Sequence, residues 1–205
     1  MSEVIYTPPP DEGLDLVHVD EALIVVNKPE GLLSVPGRGE DRQDCMVHRV
    51  QRRFPEALTV HRLDMATSGL LVFARGEAMQ RALSVLFQDR QVDKRYVAVV
   101  QGLLAQDQGE VNLPLIADWP NRPRQMVCFE RGKPSQTLYE VLVRDPLKDE
   151  TRVALTPVTG RSHQLRVHMA AIGHPIVGDG KYGGQAAFLT GTISRKMHLH
   201  ARRLR

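Results

Sequence analysis

The apolar residues of this chain come in short runs, and that limits the fold more than anything else in the sequence. LIVV at 23–26, LLVF at 70–73, YVAVV at 96–100 and RVAL at 152–155 are each bounded by polar or turn-forming residues. Runs of this length, rich in β-branched residues, fit strands with at least one buried face. None approaches the roughly 18 residues that a membrane-spanning helix needs. Sixteen glycines and 13 prolines punctuate the rest. Helical spacing is confined to three stretches. Met46, Val47, Val50 and Phe54 outline a short amphipathic helix ended by Pro55. Over 77–90, Met79, Leu83, Leu86 and Phe87 form one stripe. Over 163–172, Leu165, Met169 and Ile172 do the same, with Ser162 placed to cap the start and Gly173 the end.

These elements predict an α+β protein with a mixed, mostly antiparallel central sheet flanked by helices and loops. Residues 1–13, with Pro8 to Pro10, read as a flexible arm, and 14–205 as one folded domain. A strand pair should turn at Asp20-Glu21, and a second pair should cover 136–158. A last strand should run over 197–204, and residues 112–133 read as irregular. The N-terminus has no apolar leader core, so a cytoplasmic protein without membrane association is expected. Cys45 and Cys128 are far apart and suggest neither a disulfide nor a zinc site.

Charge is unevenly spread. Residues 1–150 hold 18 Lys and Arg against 23 Asp and Glu, a net of −5. Residues 151–205 hold nine against one acid, Asp179, a net of +8. A basic third suits a polyanionic partner, because neutralised phosphates release counterions.

Three constellations could carry chemistry. His61-Arg62-Leu63-Asp64-Met65-Ala66-Thr67-Ser68-Gly69 is a polar loop entering an apolar run, so Asp64 could face a cleft as nucleophile or base. Taken alone, a loop aspartate is most often a turn residue. Thr159 to His168 places Arg161 and Arg166 at a helix start, with Arg166 turned about 100° from the Leu165 stripe, toward the rim. Tyr96, in Lys94-Arg95-Tyr96, could stack on a base or sit in the core. No metal is expected. His163 and His168 are five apart rather than four, and His198-x-His200 has no third ligand nearby. No GxGxxG or P-loop pattern supports a nucleotide cofactor, and VGDGKYGG reads as a turn.

Together the segments resemble the RluA-type RNA pseudouridine synthases. The similar stretches, in family order, are VDEALIVVNKPEGLLSVPG, HRLDMATSG, KRYVAVVQG, TGRSHQLRVHMAAIGHPIVGD and LHARRL, spanning about 14–204. The resemblance implies the pseudouridine synthase catalytic fold with an RNA-binding cleft, acting as a monomer without cofactor. It implies Asp64 as the catalytic carboxylate, either attacking the sugar or removing a sugar proton. Tyr96 would pack against the target base, and Arg166 would pair with Asp64. Arg62 would enter the stack vacated by the flipped base, and Leu165 would line the site. Arg161 and His163, at the same helix start, are expected to contact RNA.

KPEGLLSVPGR and LPLIADWPNRPRQMVCFERGKP look most similar to the family's dual-specificity members, which modify uridine 746 of 23S rRNA and uridine 32 of tRNA anticodon stem-loops. Members acting on tRNA uridine 65, and a non-catalytic RNA-binding or chaperone module on the same fold, are the alternatives. No S4-type module is expected before the catalytic motif. Relatives continue past the LHA motif with a further strand and tail, so a C-terminal strand is expected to be missing and a sheet edge exposed.

Overall fold

The computed structural model describes residues 6–184 and 196–205. The chain divides into two compact units, Met1–Val92 and Asp93–Arg205. No helix among the described residues is long and apolar enough to cross a membrane.

In the first unit, strands β1 (Leu16–Val19) and β2 (Leu23–Lys28) turn at Asp20, as expected. The Asp20 carboxylate accepts the N–H groups of Ala22 and Leu23, both at 2.8 Å, which closes the turn. β2 pairs antiparallel with β4 (Ser68–Arg75), setting Lys28 opposite Gly69. β3 (Ala57–Thr59) pairs with the distal part of β4. Strand alternation sends Ile24, Val26 and Lys28 to the same buried face of β2. Two of the three are the residues a core wants; the third is a lysine with no exposed surface.

Helix α1 (Met46–Gln51) buries Met46, Val47 and Val50, three residues of the predicted stripe. Helix α2 (Glu77–Gln88) behaves differently from its pattern: none of its residues is fully buried, and Leu86 is exposed. It covers β4 from outside, and Phe87 lies parallel to the His61 ring with centroids 4.5 Å apart.

The arm expected to be flexible is held, over residues 6–12, to this unit. The Tyr6 hydroxyl donates to the Asp44 carbonyl and accepts from the Leu33 N–H, both at 3.0 Å. Arg49, buried on α1, donates to the carbonyls of Pro9 and Pro10 while gripping Asp44 through two nitrogens. Proline carbonyls are good acceptors on a segment with few donors of its own.

In the second unit, the sheet order is β11-β5-β10-β9-β6, with antiparallel ladders between neighbours. These are β5 (Lys94–Gln101), β6 (Gln108–Asn112), β9 (Gln136–Asp145), β10 (Glu150–Pro157) and β11 (Leu199–Leu204). β11 pairs along β5 up to Leu204, and Arg205 exchanges both backbone bonds with Asp93. The segment expected to be irregular contains a small hairpin, β7 (Leu115–Ala117) with β8 (Gln125–Val127). Strands of three residues leave no period to read in sequence.

Helix α3 (Gln164–Ala171) packs on β9 and β10. Ser162 does not cap it. His163 occupies the capping position in left-handed backbone (φ 54°), and the Gln164 side-chain carbonyl accepts the Arg161 N–H instead. Gly173, at φ 85°, ends the helix as expected.

Candidate active site

β2 ends where β4 begins, because the two are antiparallel neighbours. The loop carrying His61 to Thr67 enters β4, so it must lie beside Lys28 and the turn that follows. The Lys28 ammonium donates to the carbonyls of Leu32 (2.6 Å), Pro29 (2.8 Å) and Met65 (3.2 Å). Three donors meet three acceptors. Burial pushes this lysine down to about 7, opposed by the charges of Asp64 and Glu30. The Gly31 N–H, at φ 82°, supplies a second donor to Met65 (2.8 Å).

On the other side, the buried Ser34 hydroxyl donates to the Leu63 carbonyl (2.7 Å) and accepts the Leu63 N–H (3.1 Å). Asp64 therefore sits on backbone held one residue before and one residue after it. Its own carbonyl accepts from Thr67 N–H, closing the turn. Leu63 is buried in the core, Arg62 is exposed, and Asp64 is half-buried. His61 accepts the Val72 N–H at Nε2 (3.0 Å), which puts its proton on Nδ1. Of HRLD, then, the first and third residues build the loop, the second is exposed and the fourth half-buried.

The second unit positions Tyr96, Arg161, His163, Leu165 and Arg166. Tyr96, half-buried on β5, stands opposite Leu155 and Ala201. Arg166 is not at the rim. It is buried, and its Nε and terminal nitrogens grip both oxygens of Asp179 at 2.7 and 2.8 Å. Asp179 is fully enclosed too. Burial pushes its carboxyl up, but Arg166 and the N–H groups of Lys181 and Tyr182 outweigh this and leave it below the usual carboxylate range. Next to it, Gly178 has φ 79°, and a Cβ there would collide with the Lys196 carbonyl oxygen.

Tyr182 is the meeting point of this region. Its hydroxyl bonds to His163 Nδ1 (2.5 Å) and accepts the Gln125 N–H of β8 (2.9 Å). The guanidinium of Arg166 lies 5.0 Å from its ring centroid and that of Arg124 5.4 Å. Behind α3, Gln164 donates to the Thr137 hydroxyl (3.0 Å), which bonds to Nδ1 of the buried His168 (2.9 Å). His168 donates through Nε2 to the Leu113 carbonyl (2.9 Å), and burial lowers its pKa. Arg161 and Leu165 flank this network, the first half-buried and the second buried. Among the described residues, no group of three or more His, Cys, Asp or Glu side chains is arranged to hold a metal.

Residues 22–171 match the family described as RNA pseudouridylate synthase. The chain belongs to that family. The dual-specificity RNA pseudouridine synthase RluA of Pasteurella multocida (strain Pm70) is 53% identical over 204 residues, covering 100% of this chain and 91% of that protein. The enzyme of the same name from Escherichia coli (strain K12) is 51% identical over 199 residues, covering 97% and 89%. Among solved structures, human RNA pseudouridylate synthase domain containing 1 superposes with a TM-score of 0.80 at 30% identity, over 97% of this chain and 80% of that one. Pseudouridine synthases isomerise uridine in RNA, and the α+β fold expected from sequence is theirs.

Sequence reasoning missed Lys28, Ser34, Asp179 and Tyr182. Asp179 carried a visible signal as the only acid among residues 151–205. Lys28 carried another, as a lysine in phase with Ile24 and Val26.

Lys28→Met should lower stability by about 1–3 kcal/mol, because the buried bond to the Leu32 carbonyl and the part-buried bonds to Pro29 and Met65 are lost. The unfolded lysine titrates near 10.5 and the folded one near 7. Between those values unfolding takes up a proton, so the residue's contribution rises with pH. Urea melts of both proteins around pH 6 and around pH 9 should show the gap widening on the alkaline side. A gap independent of pH would mean that Lys28 stays charged throughout.

Asp179→Asn should cost about 3–5 kcal/mol by leaving Arg166 buried without its counter-charge. The depressed carboxyl contributes stability above its unfolded value near 3.8, lost as pH falls through the lower folded value. Denaturation curves recorded down to pH 3 should show this acid loss in the parent protein and not in the variant.

Proposed function

We propose that this chain converts uridine to pseudouridine in 23S rRNA and in tRNA anticodon stem-loops, as a cytoplasmic monomer without cofactor or metal, with Asp64 as the acting carboxylate. The observation that carries the reading is the loop of Asp64. Its backbone is held by Ser34 on one side and by Lys28 and Gly31 on the other, and the residue is half-buried. A reacting group held on a rigid frame gains from prepaid orientation. The relatives named dual-specificity support the pairing of two RNA classes.

The reaction breaks the N1–C1′ bond, turns the uracil and joins C5 to C1′; a proton leaves C5 and one arrives at N1. No atom is gained and nothing is oxidised. The uridine must first leave its stack, at a few kcal/mol. Arg62, exposed beside Asp64, would fill the gap. Tyr96 would pack on the extruded base, with Leu165 lining the site. Arg166 would pair with Asp64 as well as with Asp179, since a guanidinium's five N–H donors can serve two carboxylates. Arg161 and His163, at the head of α3, would meet the RNA backbone.

Asp64→Asn should reduce turnover by about a thousandfold or more and leave RNA affinity within about twofold. Measurable turnover by a clean preparation of the variant would remove Asp64 from the reaction. Substrate choice can be read by tritium release from C5-labelled uridine in three RNAs: an anticodon stem-loop, the 23S hairpin, and a T-arm containing uridine 65. Turnover of the first two is expected. Turnover of the T-arm alone would replace the dual assignment with the tRNA one. Binding without turnover of any would leave a non-catalytic RNA-binding module.

A further inference from the structure

The connection between β7 and β8 projects a side-chain pair that the proposed chemistry does not use. Trp119 is 67% exposed, an unusual state for the largest apolar side chain. It is not on a loose loop. Asp118 N–H donates to the Arg124 carbonyl (2.9 Å), Arg124 N–H to Asn121 (3.0 Å) and Asn121 N–H back to Asp118 (3.0 Å). The Asn121 amide adds a bond to the Asp118 carboxylate (2.9 Å). The turn is thus cross-braced by backbone bonds around one acid, and the indole is held out by it.

Arg122 lies on the indole. Its guanidinium carbon is 3.8 Å from the ring centroid, and its Nε donates to the Trp119 carbonyl (3.1 Å). One bond and one stack therefore order a side chain that is ordinarily free to rotate. The surroundings are cationic: from 118 to 133 the chain has Arg122, Arg124, Arg131 and Lys133 against Asp118 and Glu130. Phe129 is also 76% exposed. A protein surface would have to desolvate these guanidinium groups, whereas a nucleic acid offers phosphates to them and a base to the ring.

We propose that Trp119 with Arg122 is a stacking platform for an unpaired base of the RNA substrate, flanked by phosphate contacts from Arg124 and Arg131. This rests on the reading of the chain as an RNA-modifying enzyme. The platform positions RNA and takes no part in the bond changes. Its base is tied to the head of α3. β8 begins at Gln125, whose N–H binds Tyr182, and Tyr182 contacts His163 and Arg166. RNA seated on the indole is thereby registered against Arg161, His163 and Arg166 of the same unit.

The test uses the whole chain. Trp119 is its single tryptophan, so emission excited at the red edge, where tyrosine does not absorb, reports on the platform alone. Fluorescein-labelled anticodon stem-loop RNA is followed by anisotropy for binding, and unlabelled RNA by tryptophan emission and acrylamide quenching. Saturable quenching and loss of acrylamide access, in step with anisotropy, are expected. Trp119→Ala should raise KM about five- to fiftyfold with kcat within twofold, and Trp119→Phe should recover most of the loss. RNA binding that leaves the emission unchanged, or an alanine variant with the parent KM, would overturn the platform and leave the enzyme reading standing. No binding by anisotropy would overturn both. Self-association abolished by Trp119→Ala, with KM unchanged, would assign the surface to a second copy of the chain.

Discussion

An ammonium group with no access to water is the interaction on which the first unit depends. Lys28 is where it is because β2 alternates, and its third inward position follows Ile24 and Val26. A charge there needs ligands, and it finds carbonyls of the turn after β2 and of the loop before β4. The lysine therefore cannot be satisfied unless both segments adopt their native paths. A bond that helps satisfy the lysine also fixes the carbonyl one residue after Asp64. Stability of the fold and placement of the carboxylate are one requirement here, met by one side chain.

The second unit solves a comparable problem with an ion pair. Arg166 and Asp179 are both enclosed, and each offsets the other's buried charge. Tyr182, three residues after Asp179, extends the pair to the β7–β8 hairpin and to the head of α3. The basic character of residues 151–205 is sharpened by this arrangement, because their only acid is turned inward and neutralises an arginine that is also inward.

Much of the fold was legible in the sequence because most of its strands are short, apolar and bounded by turn residues. β2, β4, β9, β10 and the turn at Asp20 could be read directly. What failed to read had physical reasons. β7 and β8 are too short to show alternation. The arm at 6–12 looked free because its anchors, Tyr6 to Asp44 and Arg49 to Pro9, join residues some 40 apart in the chain. Ser162 looked like a cap because the residue type is right, but His163 takes the capping position in left-handed backbone and no side chain caps the helix. Arg166 looked like a rim residue because helical phase ignores a partner 13 residues on. Within the HRLD segment, periodicity could not show that His61 and Leu63 are structural; that follows from Val72, Phe87 and Ser34, none of them adjacent to it.

The pair Gly178-Asp179 carries two unrelated demands on neighbouring codons. At 178 the space where any side chain would begin is taken by a peptide oxygen at Lys196, so even alanine requires the approach to β11 to move. At 179 a charge is required, and an isosteric amide does not meet the requirement. Single-nucleotide drift at either position meets a barrier of a different kind, steric at one and electrostatic at the other. A substitution that relaxes one leaves the other in force, so this dipeptide should be among the least exchangeable stretches of the chain in a saturation-mutagenesis screen for folding.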